Sequence, residues 1–250
     1  VLDISREKAE ETAEGINRNG GTARVFAADV LDEKSLAAAR DEIAGIWGFP
    51  DILVNGAGGN HPKGSTFFEF AERAHLEAAG AEPEMPELAT IFDIPFEGFA
   101  STFSLNFYGT FLASKIFGMG MAKRGSDSIV NISSMSAFTP LTKVGAYSAA
   151  KAAVSNFTRW LAVHLSHTGV RVNAIAPGFF MTEQLRFLHI NQETGEYTPR
   201  AQSVIAHTPM GRYGEPEELV GTLIWLVSEA SRFVTGSVIP VDGGFSAYAI

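Results

Sequence analysis

Three features of the sequence predict an α/β fold with a doubly wound parallel sheet. Short apolar runs alternate with amphipathic helical segments along most of the 250 residues, which is typical of a parallel sheet covered by helices. Hydrophobic residues make up 46% of the chain and charged residues 19%, as in compact globular proteins. The length suits one domain with a large core. We therefore expect residues 1–250 to form a single domain.

The first part of the chain supplies three strands and two helices. In order, we predict a strand that ends at residues 1–4, a helix from a Ser5 cap to the turn Asn19-Gly20-Gly21, a strand over 23–29, a helix over 32–47 and a strand over 51–55. The helices are expected to bury apolar residues spaced three or four apart, namely Ala9, Ala13 and Ile16, then Leu36, Ala39, Ile43 and Ile46. Because the chain opens inside a strand, we expect a segment before residue 1 to be missing.

The second half continues the alternation but contains an irregular segment, as does the middle of the chain. We predict a strand over 128–134, a helix over 147–167, a strand over 169–176, a helix over 215–227 and a strand over 237–241. Residues of about 61–95 and about 179–214 break this rhythm and are rich in Pro, Gly, Glu and aromatic residues. Ligands of such sheets bind beyond the carboxyl ends of the strands, so we expect an inserted flap and a substrate lid there.

Composition excludes several classes of function. A net charge of −9 and a pI near 5.2 argue against a nucleic-acid surface, which needs clustered Lys and Arg. The chain has no cysteine, which rules out disulfides, thiolate metal sites and a Cys nucleophile. It shows no apolar run of about 18 residues and no basic leader, so we expect neither a membrane span nor a signal peptide. A cytoplasmic protein is the expectation.

The most informative motif is Tyr147-Ser-Ala-Ala-Lys151, which places a phenol and an ammonium on one helix face. A cation about 4 Å from a phenolate contributes up to about 4 kcal/mol at an effective dielectric of about 20, so we expect Lys151 to lower the pKa of Tyr147. The spacing alone also occurs on many exposed helices. Thirteen residues earlier, however, Ser134 ends a predicted strand, and its hydroxyl can donate to a substrate carbonyl oxygen. Ser133 and Ser136 are the alternative hydroxyls.

Several further motifs follow one another along the chain in a characteristic order. They are Asn55-Gly56-Ala57-Gly58 after a strand, Asn106 within Leu105-Asn106-Phe107-Tyr108-Gly109, Ser134, Tyr147 with Lys151, Pro177-Gly178 and Val241-Asp242-Gly243-Gly244. Over nearly the whole chain, their order and spacing resemble those of the short-chain dehydrogenases/reductases. The resemblance implies a Rossmann-type fold and reversible hydride transfer between a nicotinamide cofactor and an alcohol or carbonyl carbon. It also implies an N-terminal strand followed by a Gly-rich phosphate-binding turn, and we expect both to be missing from the given sequence. Gly56 departs from the family's usual second Asn, which puts one hydrogen bond between strands in doubt.

The resemblance also implies roles for single residues. Tyr147 is the expected general acid–base and Ser134 the donor that polarises the carbonyl. Lys151 is expected to lower the pKa of Tyr147 and to hold the nicotinamide ribose, and Asn106 to hold a water of a proton relay. An Asn at position 106 could instead serve only as a hydrogen-bonding group of a helix kink.

The expected cofactor is NAD, with NADP the less favoured choice. Asp3 stands at the tip of the first strand, where a carboxylate accepts hydrogen bonds from ribose hydroxyls and repels a 2′-phosphate. Asp3 could instead cap the next helix, and the nearby Arg6 weakens the argument for NAD. The other residues that the resemblance assigns to the cofactor, besides Tyr147 and Lys151, are Asp29, Val30, Asn55, Ala57, Gly58, Pro177, Gly178 and Thr182.

The interval between Asn55 and Asn106 exceeds the family's usual spacing by some twenty residues, which predicts an added flap. With the segments 60–63, 133–143 and 244–248, this flap most resembles that of the D-mannonate oxidoreductases of the same family, also called fructuronate reductases. The resemblance implies interconversion of a secondary alcohol and a ketone on a sugar acid, such as D-mannonate and D-fructuronate. The candidate substrate contacts are Asn60, His61, Ser136 and Lys143, with Lys63, Arg186 and Arg212 as other possible partners of the carboxylate.

Other interpretations remain open at this point. The substrate could be another polyol, a keto-gluconate or a 3-oxoacyl thioester, and the protein could also be a sensor or scaffold that binds NAD without turnover. His164 and His167 lie three residues apart without an evident third ligand, so we expect no metal. The apolar Phe157, Trp160 and Leu161 and the tail 245–250 indicate a homotetramer or homodimer, although they could equally belong to the core.

Overall fold

The strands form two parallel sheets in the part of the chain that this computed structural model describes, namely residues 1–78, 90–125 and 127–248. The small sheet pairs β1 (Leu2–Asp3) with β2 (Phe26–Ala27). The larger sheet has the order β3-β4-β5-β6, with β3 at Ile52–Asn55, β4 at Ser128–Ile132, β5 at Arg171–Pro177 and β6 at Val238–Val241. Every pairing is parallel. The predicted α/β class is therefore confirmed.

Helices connect these strands. Within the described ranges they are α1 (Arg6–Arg18), α2 (Glu33–Trp47), α3 (Arg73–Ala78), α4 (Phe96–Phe103), α5 (Gly109–Arg124), α6 (Gly145–Leu165), α7 (Glu183–His189), α8 (Pro199–His207) and α9 (Val220–Val227). A π-helical turn, Ser104–Tyr108, joins α4 to α5. The predicted flap contains α3 and two 3-10 turns, whereas residues 79–89 in its centre lie outside the described residues.

Successive residues of β4 fix the two faces of the larger sheet. Ile129 packs with Met121 of α5 and Leu161 of α6, whereas Val130 packs with Leu226 of α9. Because neighbouring side chains of a strand point to opposite faces, α5 and α6 cover one face and α9 covers the other. Ile129 and Val130 are fully buried, and burial on both faces explains why successive residues of the strand are apolar.

Side-chain caps begin the first two helices where the sequence predicts them. The Ser5 hydroxyl accepts a hydrogen bond from the Lys8 backbone N–H at 3.4 Å, and the Asp32 carboxylate accepts one from the Lys34 N–H at 2.8 Å. Each cap satisfies a backbone donor that has no partner within the helix.

Several predicted boundaries and burials are wrong in detail. The strand expected over 23–29 shrinks to Phe26–Ala27, and β4 ends at Ile132 rather than at Ser134. The segment 215–227 is a 3-10 turn followed by α9, not one helix. Ile16 and Ile46 are exposed because each lies at the rim of the inward face of its helix.

Helix α5 escapes the sequence analysis altogether. Its exposed stripe carries the apolar Phe111 and Met119 beside Lys115, so the sequence shows no clear amphipathic period. Three glycines also weaken its helical signal, and two of them are required by close packing. A Cβ on Gly109 would lie 2.9 Å from a Val30 methyl group, and one on Gly120 would overlap the Phe49 ring.

The two sheets leave a large cavity between them. Its volume is about 600 Å³, and its walls include residues of β1, β3, α2 and α5. Ile52 and Val54 of β3 are 45% and 44% exposed because their strand borders this space. The polar end of this space carries Asp3 and Asn55 to Gly58, at the carboxyl ends of β1 and β3, and ligands of parallel α/β sheets bind at this edge.

A buried polar network ties the larger sheet to its helices. Asn131 of β4 accepts a hydrogen bond from the Asn55 amide at 2.8 Å and donates one to Thr158 of α6 at 2.9 Å. Asn55 also donates to the Ser114 hydroxyl of α5 at 2.9 Å. Asn131 is completely buried, so its amide bonds replace those that water would make.

Replacing Asn131 with Ala is expected to destabilise the protein by about 2 to 3 kcal/mol, since the change removes two buried hydrogen bonds and leaves a small cavity. Ser114→Ala, which removes only one of the bonds to Asn55, should cost about 1 kcal/mol. Urea unfolding of the two variants and the wild type measures both values. Equal midpoints for Asn131→Ala and the wild type would contradict this role of the network.

Candidate active site

Ser134, Tyr147 and Lys151 come together at the carboxyl end of β4. Ser134 follows the strand and opens the 3-10 turn Met135–Ala137, against which the start of α6 packs. The Ser134 hydroxyl lies near enough to the Tyr147 phenol to lower its pKa. The Lys151 Nζ donates to the Ile132 carbonyl at 2.8 Å and lies 5.5 Å from the centroid of the Tyr147 ring. The structure thus brings together three residues that lie up to 17 positions apart in the sequence.

Burial dominates the electrostatics of this site. It raises the pKa of the Tyr147 phenol, an effect that the hydrogen bond from Ser134 partly offsets. Burial also lowers the pKa of Lys151 from 10.5 to about 8. The expected lowering of the Tyr147 pKa is therefore wrong for the protein alone, because the loss of water around the phenolate outweighs the effect of Ser134.

Ser133 has a different task from Ser134. Its hydroxyl donates to the Lys151 carbonyl at 3.1 Å and lies 2.7 Å from the Ser155 hydroxyl. Ser133 thereby joins the end of β4 to the backbone of α6. This contact helps to set the separation between Ser134 and Tyr147.

Asn106 is fully buried in the π-helical turn between α4 and α5. Its amide donates to the Gly59 carbonyl at 2.6 Å and to the Thr102 carbonyl at 2.8 Å, and its oxygen accepts from the Gly59 N–H at 3.2 Å. The side chain thus holds the loop after β3. Such π turns are frequent at functional sites. A relay water at Asn106 stays a prediction.

The cavity between the sheets is lined by five of the residues predicted to bind the cofactor: Asp3, Val30, Asn55, Ala57 and Gly58. Gly58 lies in the wall of this cavity and also packs against Asn106 and Lys151. A Cβ at Gly58 would lie 2.5 Å from the Asn106 Oδ1 and 3.3 Å from the Lys151 Nζ, so any larger residue would displace them. The Asp3 carboxylate accepts from the Ser5 N–H at 2.8 Å, and thus also contributes to the turn that starts α1.

The other predicted cofactor residues lie around this cleft. Asp29 accepts a hydrogen bond from the Leu31 N–H at 2.8 Å and thereby shapes the loop after β2. Pro177 ends β5, and Gly178 donates its N–H to the Val241 carbonyl at 2.9 Å. A Cβ on Gly178 would come within 2.6 Å of the Asp242 Cα. Thr182 caps α7.

The candidate substrate residues occupy two neighbouring loops. Lys143 adopts a left-handed backbone with φ of 72°, and its carbonyl accepts a hydrogen bond from the Thr66 N–H at 2.8 Å. Its ammonium lies 5.8 Å from the centroid of the Phe67 ring. On the flap side, Asn60 donates to the Ser65 hydroxyl at 2.8 Å, and His61 caps the 3-10 turn Pro62–Gly64.

Ser136 lies deeper than the other candidate substrate residues. Only 2% of its surface is exposed, and its hydroxyl donates to the Ser134 hydroxyl at 3.0 Å. The sequence pattern gives no sign of this pairing, which depends on the geometry of the 3-10 turn. Direct contact between Ser136 and a substrate stays a prediction.

The segment predicted as a substrate lid has its own small core. Helices α7 and α8 enclose a cluster of Met181, Ala201, Val204 and Tyr213. The buried His189 ring lies 2.7 Å from the Tyr213 hydroxyl, and burial lowers the pKa of His189. Sequence reasoning missed this pair because the two residues are 24 positions apart and share no motif.

Arg212, one of the candidate cations, is already paired. Its guanidinium donates two hydrogen bonds of 2.7 Å to the Glu218 carboxylate, and this pair borders a second cavity of about 360 Å³ beside the end of β6. Arg186 is exposed on α7. By contrast, Lys143 has no carboxylate within ion-pair distance among residues 1–78, 90–125 and 127–248.

Two further findings concern the described ranges as a whole. They contain no group of three His, Cys, Asp or Glu side chains placed to hold a metal ion, and the His164 ring stacks on Trp160 at 5.0 Å. No helix in these ranges has the length and apolar character needed to cross a bilayer.

Trp160 is 54% exposed on α6, whereas Leu161 belongs to the core. Oligomeric assembly stays a prediction.

Sequence comparison places these features in a family. A family model described as "Enoyl-(Acyl carrier protein) reductase", which belongs to the short-chain dehydrogenases/reductases, matches residues 74–246. The chain belongs to the short-chain dehydrogenase/reductase family. It is an oxidoreductase of the kind that acts on alcohol groups.

Individual relatives agree with this assignment. The chain is 51% identical over 250 residues to the "Uncharacterized oxidoreductase UxuB" of Bacillus subtilis (strain 168), a match that covers 100% of this chain and 86% of the relative. It is 30% identical over 245 residues to the 7alpha-hydroxysteroid dehydrogenase of Escherichia coli (strain K12), covering 98% of this chain and 82% of the relative.

A solved structure is similar to this protein over nearly the whole chain. It is described as a "putative D-Mannonate oxidoreductase from Haemophilus influenza" with bound NAD. The two proteins are 46% identical and superpose with a TM-score of 0.90, over 99% of this chain and 85% of the other. The similarity supports the Rossmann-like fold.

Proposed function

We propose that this protein is an NAD-dependent oxidoreductase that interconverts a secondary alcohol and a ketone on a sugar acid, with D-mannonate and D-fructuronate as the substrate pair. One observation carries the chemistry. Ser134, Tyr147 and Lys151 meet in a buried cluster beside a large cleft at the carboxyl edge of the sheet. A protein that only binds a nucleotide has no need of a buried phenol with a hydroxyl donor beside it.

The residues of the cleft fit a dinucleotide. The walls carry little side chain at Gly56, Ala57 and Gly58, which permits close approach of a ligand to the backbone, and Asp3 offers a carboxylate to ribose hydroxyls. Asp3, Val30 and Asn55 to Gly58 would hold the adenosine side. Pro177, Gly178 and Thr182 would hold the nicotinamide side. When bound, NAD supplies the hydride acceptor.

The catalytic residues have separate tasks in alcohol oxidation. Tyr147 as a phenolate takes the proton of the substrate hydroxyl, and the Ser134 hydroxyl donates to the same oxygen as it becomes a carbonyl. Lys151 supplies a positive charge beside the phenolate. Carbonyl reduction reverses the proton transfer, so that Tyr147 protonates the oxygen.

Lys143 supports the sugar-acid assignment. Lys143 as a whole is half-buried, four residues before Tyr147, and its ammonium is not neutralised by a described carboxylate. A left-handed backbone at a non-glycine residue is strained, and such strain collects at functional sites. We infer that Lys143 binds the substrate carboxylate, with Asn60 and His61 as contacts for hydroxyl groups. The 46% identity to the Haemophilus structure favours the same substrate.

The test follows the absorbance of reduced nicotinamide when the protein meets D-mannonate and NAD, with NADP, D-gluconate and an uncharged secondary alcohol as comparisons. We expect turnover of D-mannonate with NAD. Activity only with another substrate would keep the oxidoreductase but reject D-mannonate. Failure to turn over any substrate, despite binding of NAD, would favour a non-catalytic sensor.

The role of Lys143 has its own expected result. Lys143→Met removes the charge but keeps most of the side chain, and should raise the KM for D-mannonate by about 10- to 100-fold, since a charge-assisted hydrogen bond contributes about 1.5 to 3 kcal/mol. The kcat should change little. Lys63→Met, at an exposed neighbouring cation, is the matched control and should leave KM within about threefold. An unchanged KM in Lys143→Met would reject this assignment.

A further inference from the structure

The Ser134 hydroxyl is held from one side by a single residue. Ser134 has an extended backbone and caps the 3-10 turn Met135–Ala137. Its Oγ accepts the backbone N–H of Ser136 at 3.1 Å and also the hydroxyl of Ser136 at 3.0 Å. Both serines are buried, with 6% and 2% of their surfaces exposed, so water does not compete freely for these bonds.

This arrangement determines which way the Ser134 proton points. A serine hydroxyl has two acceptor positions and one donor proton. Because Ser136 fills both acceptor positions, the proton of Ser134 is left to donate on the open side, where Ser134 lies near enough to the Tyr147 phenol to lower its pKa. The same orientation aims the proton at a substrate oxygen that lies between the two groups. Hydrogen bonds accepted by a hydroxyl also make it a stronger donor.

The backbone bond alone does not require a serine at position 136. Any residue except proline would supply the N–H that caps the turn, whereas only a hydroxyl-bearing residue supplies the second donor. We propose that Ser136 is a positioning residue that orients the Ser134 hydroxyl as a donor toward the reacting oxygen. This inference rests on the proposed oxidoreductase chemistry but not on the identity of the substrate.

Kinetics of a double-mutant cycle test the proposal, using the full chain and whichever substrate the wild type oxidises. Ser136→Ala should lower kcat by about 5- to 20-fold, equivalent to one neutral hydrogen bond, and leave the KM for NAD unchanged. Ser136→Thr should restore kcat to within about threefold, since it returns a hydroxyl. In a Ser134→Ala background, Ser136→Ala should have no further effect on kcat.

The alternatives give different results. If Ser136 contacts the substrate directly, Ser136→Ala raises the substrate KM and its effect adds to that of Ser134→Ala, which would overturn the proposal. If Ser136 serves only to stabilise the fold, the variant lowers Tm without a change in kcat, which would also overturn it. The pH profile is a further check. Loss of the oriented donor should move the alkaline rise in oxidation rate to higher pH.

A spectroscopic measurement separates this proposal from the proposed function. Ultraviolet absorbance titration, with Tyr147→Phe as the reference, reports ionisation of the Tyr147 phenol without any substrate. Ser136→Ala should raise this pKa further, because the Ser134 donor stabilises the phenolate less well. An unchanged titration would overturn the proposal whether or not the protein oxidises D-mannonate. A wild type that oxidises no substrate but shows this shift would reject the proposed function alone.

Discussion

Replacing Tyr147 with Phe is expected to lower kcat by about 10³-fold, because positioned general acid–base groups contribute roughly 10² to 10⁴. The change removes one oxygen from a buried site and keeps the ring, so the fold should persist. Steady-state oxidation of the best substrate measures the loss. Binding of reduced nicotinamide, followed by fluorescence, should stay within about fivefold, since the cleft is built mainly from other residues.

A matched variant removes a hydroxyl elsewhere. Tyr108 is 49% exposed at the end of the π-helical turn, and Tyr108→Phe should leave kcat within about twofold. If Tyr147→Phe retained more than about a tenth of the wild-type kcat, Tyr147 could not be the main proton acceptor. The chemistry would then have to use another group of the site.

The sequence predicts best those features that depend on neighbouring residues. The Ser5 cap needs only a few following residues, and the Tyr147–Lys151 spacing needs only one turn of helix. The interval of thirteen residues to Tyr147 favours Ser134 over Ser133, although the strand ends two residues earlier than predicted. In the structure, Ser133 bonds to the backbone of α6, while Ser134 lies near Tyr147.

Features that depend on tertiary packing could not be predicted from the sequence in this way. Helix α5 shows no clear polar face because its exposed stripe carries Phe111 and Met119, and its glycines are explained only by the neighbours Val30 and Phe49. The expected lowering of the Tyr147 pKa failed for a related reason. Spacing shows that Lys151 is near, but the degree of burial of both groups decides the direction of the pKa. The pairing of Ser136 with Ser134 likewise depends on a turn that no sequence pattern announces.

The burial of Lys151 implies that stability and activity oppose each other in this site. Only 4% of the Lys151 surface is exposed, and the ammonium has one hydrogen bond, to the Ile132 carbonyl, without a described carboxylate partner. A buried charge that is incompletely compensated costs free energy. Such a residue is retained for the charge that it brings to the phenolate rather than for stability.

We therefore expect Lys151→Met to raise Tm at pH 7 by about 2–4 °C, which corresponds to roughly 1 kcal/mol in a protein of this size. The same variant should lose kcat by about 10²-fold or more, since the phenolate loses its neighbouring cation. Thermal unfolding without cofactor and steady-state oxidation measure the two effects. Lys115→Met, at an exposed ion pair with Glu33, is the matched control and should change neither value much.

The pH dependence gives this prediction its sharpest form. The pKa of Lys151 is about 8 in the folded protein and 10.5 as its ordinary value, so between these pH values the unfolded protein binds the additional proton. The free energy of unfolding of the wild type must therefore receive a positive contribution from Lys151 as the pH rises from about 8 to about 10.5. Lys151→Met lacks this contribution. The Tm advantage of the variant should be largest below pH 8 and should shrink above it. The Tyr147 phenol is present in both proteins, so its own ionisation largely cancels in the comparison. A variant that is less stable than the wild type at pH 7 would show instead that the bond to Ile132 outweighs the cost of burying the charge.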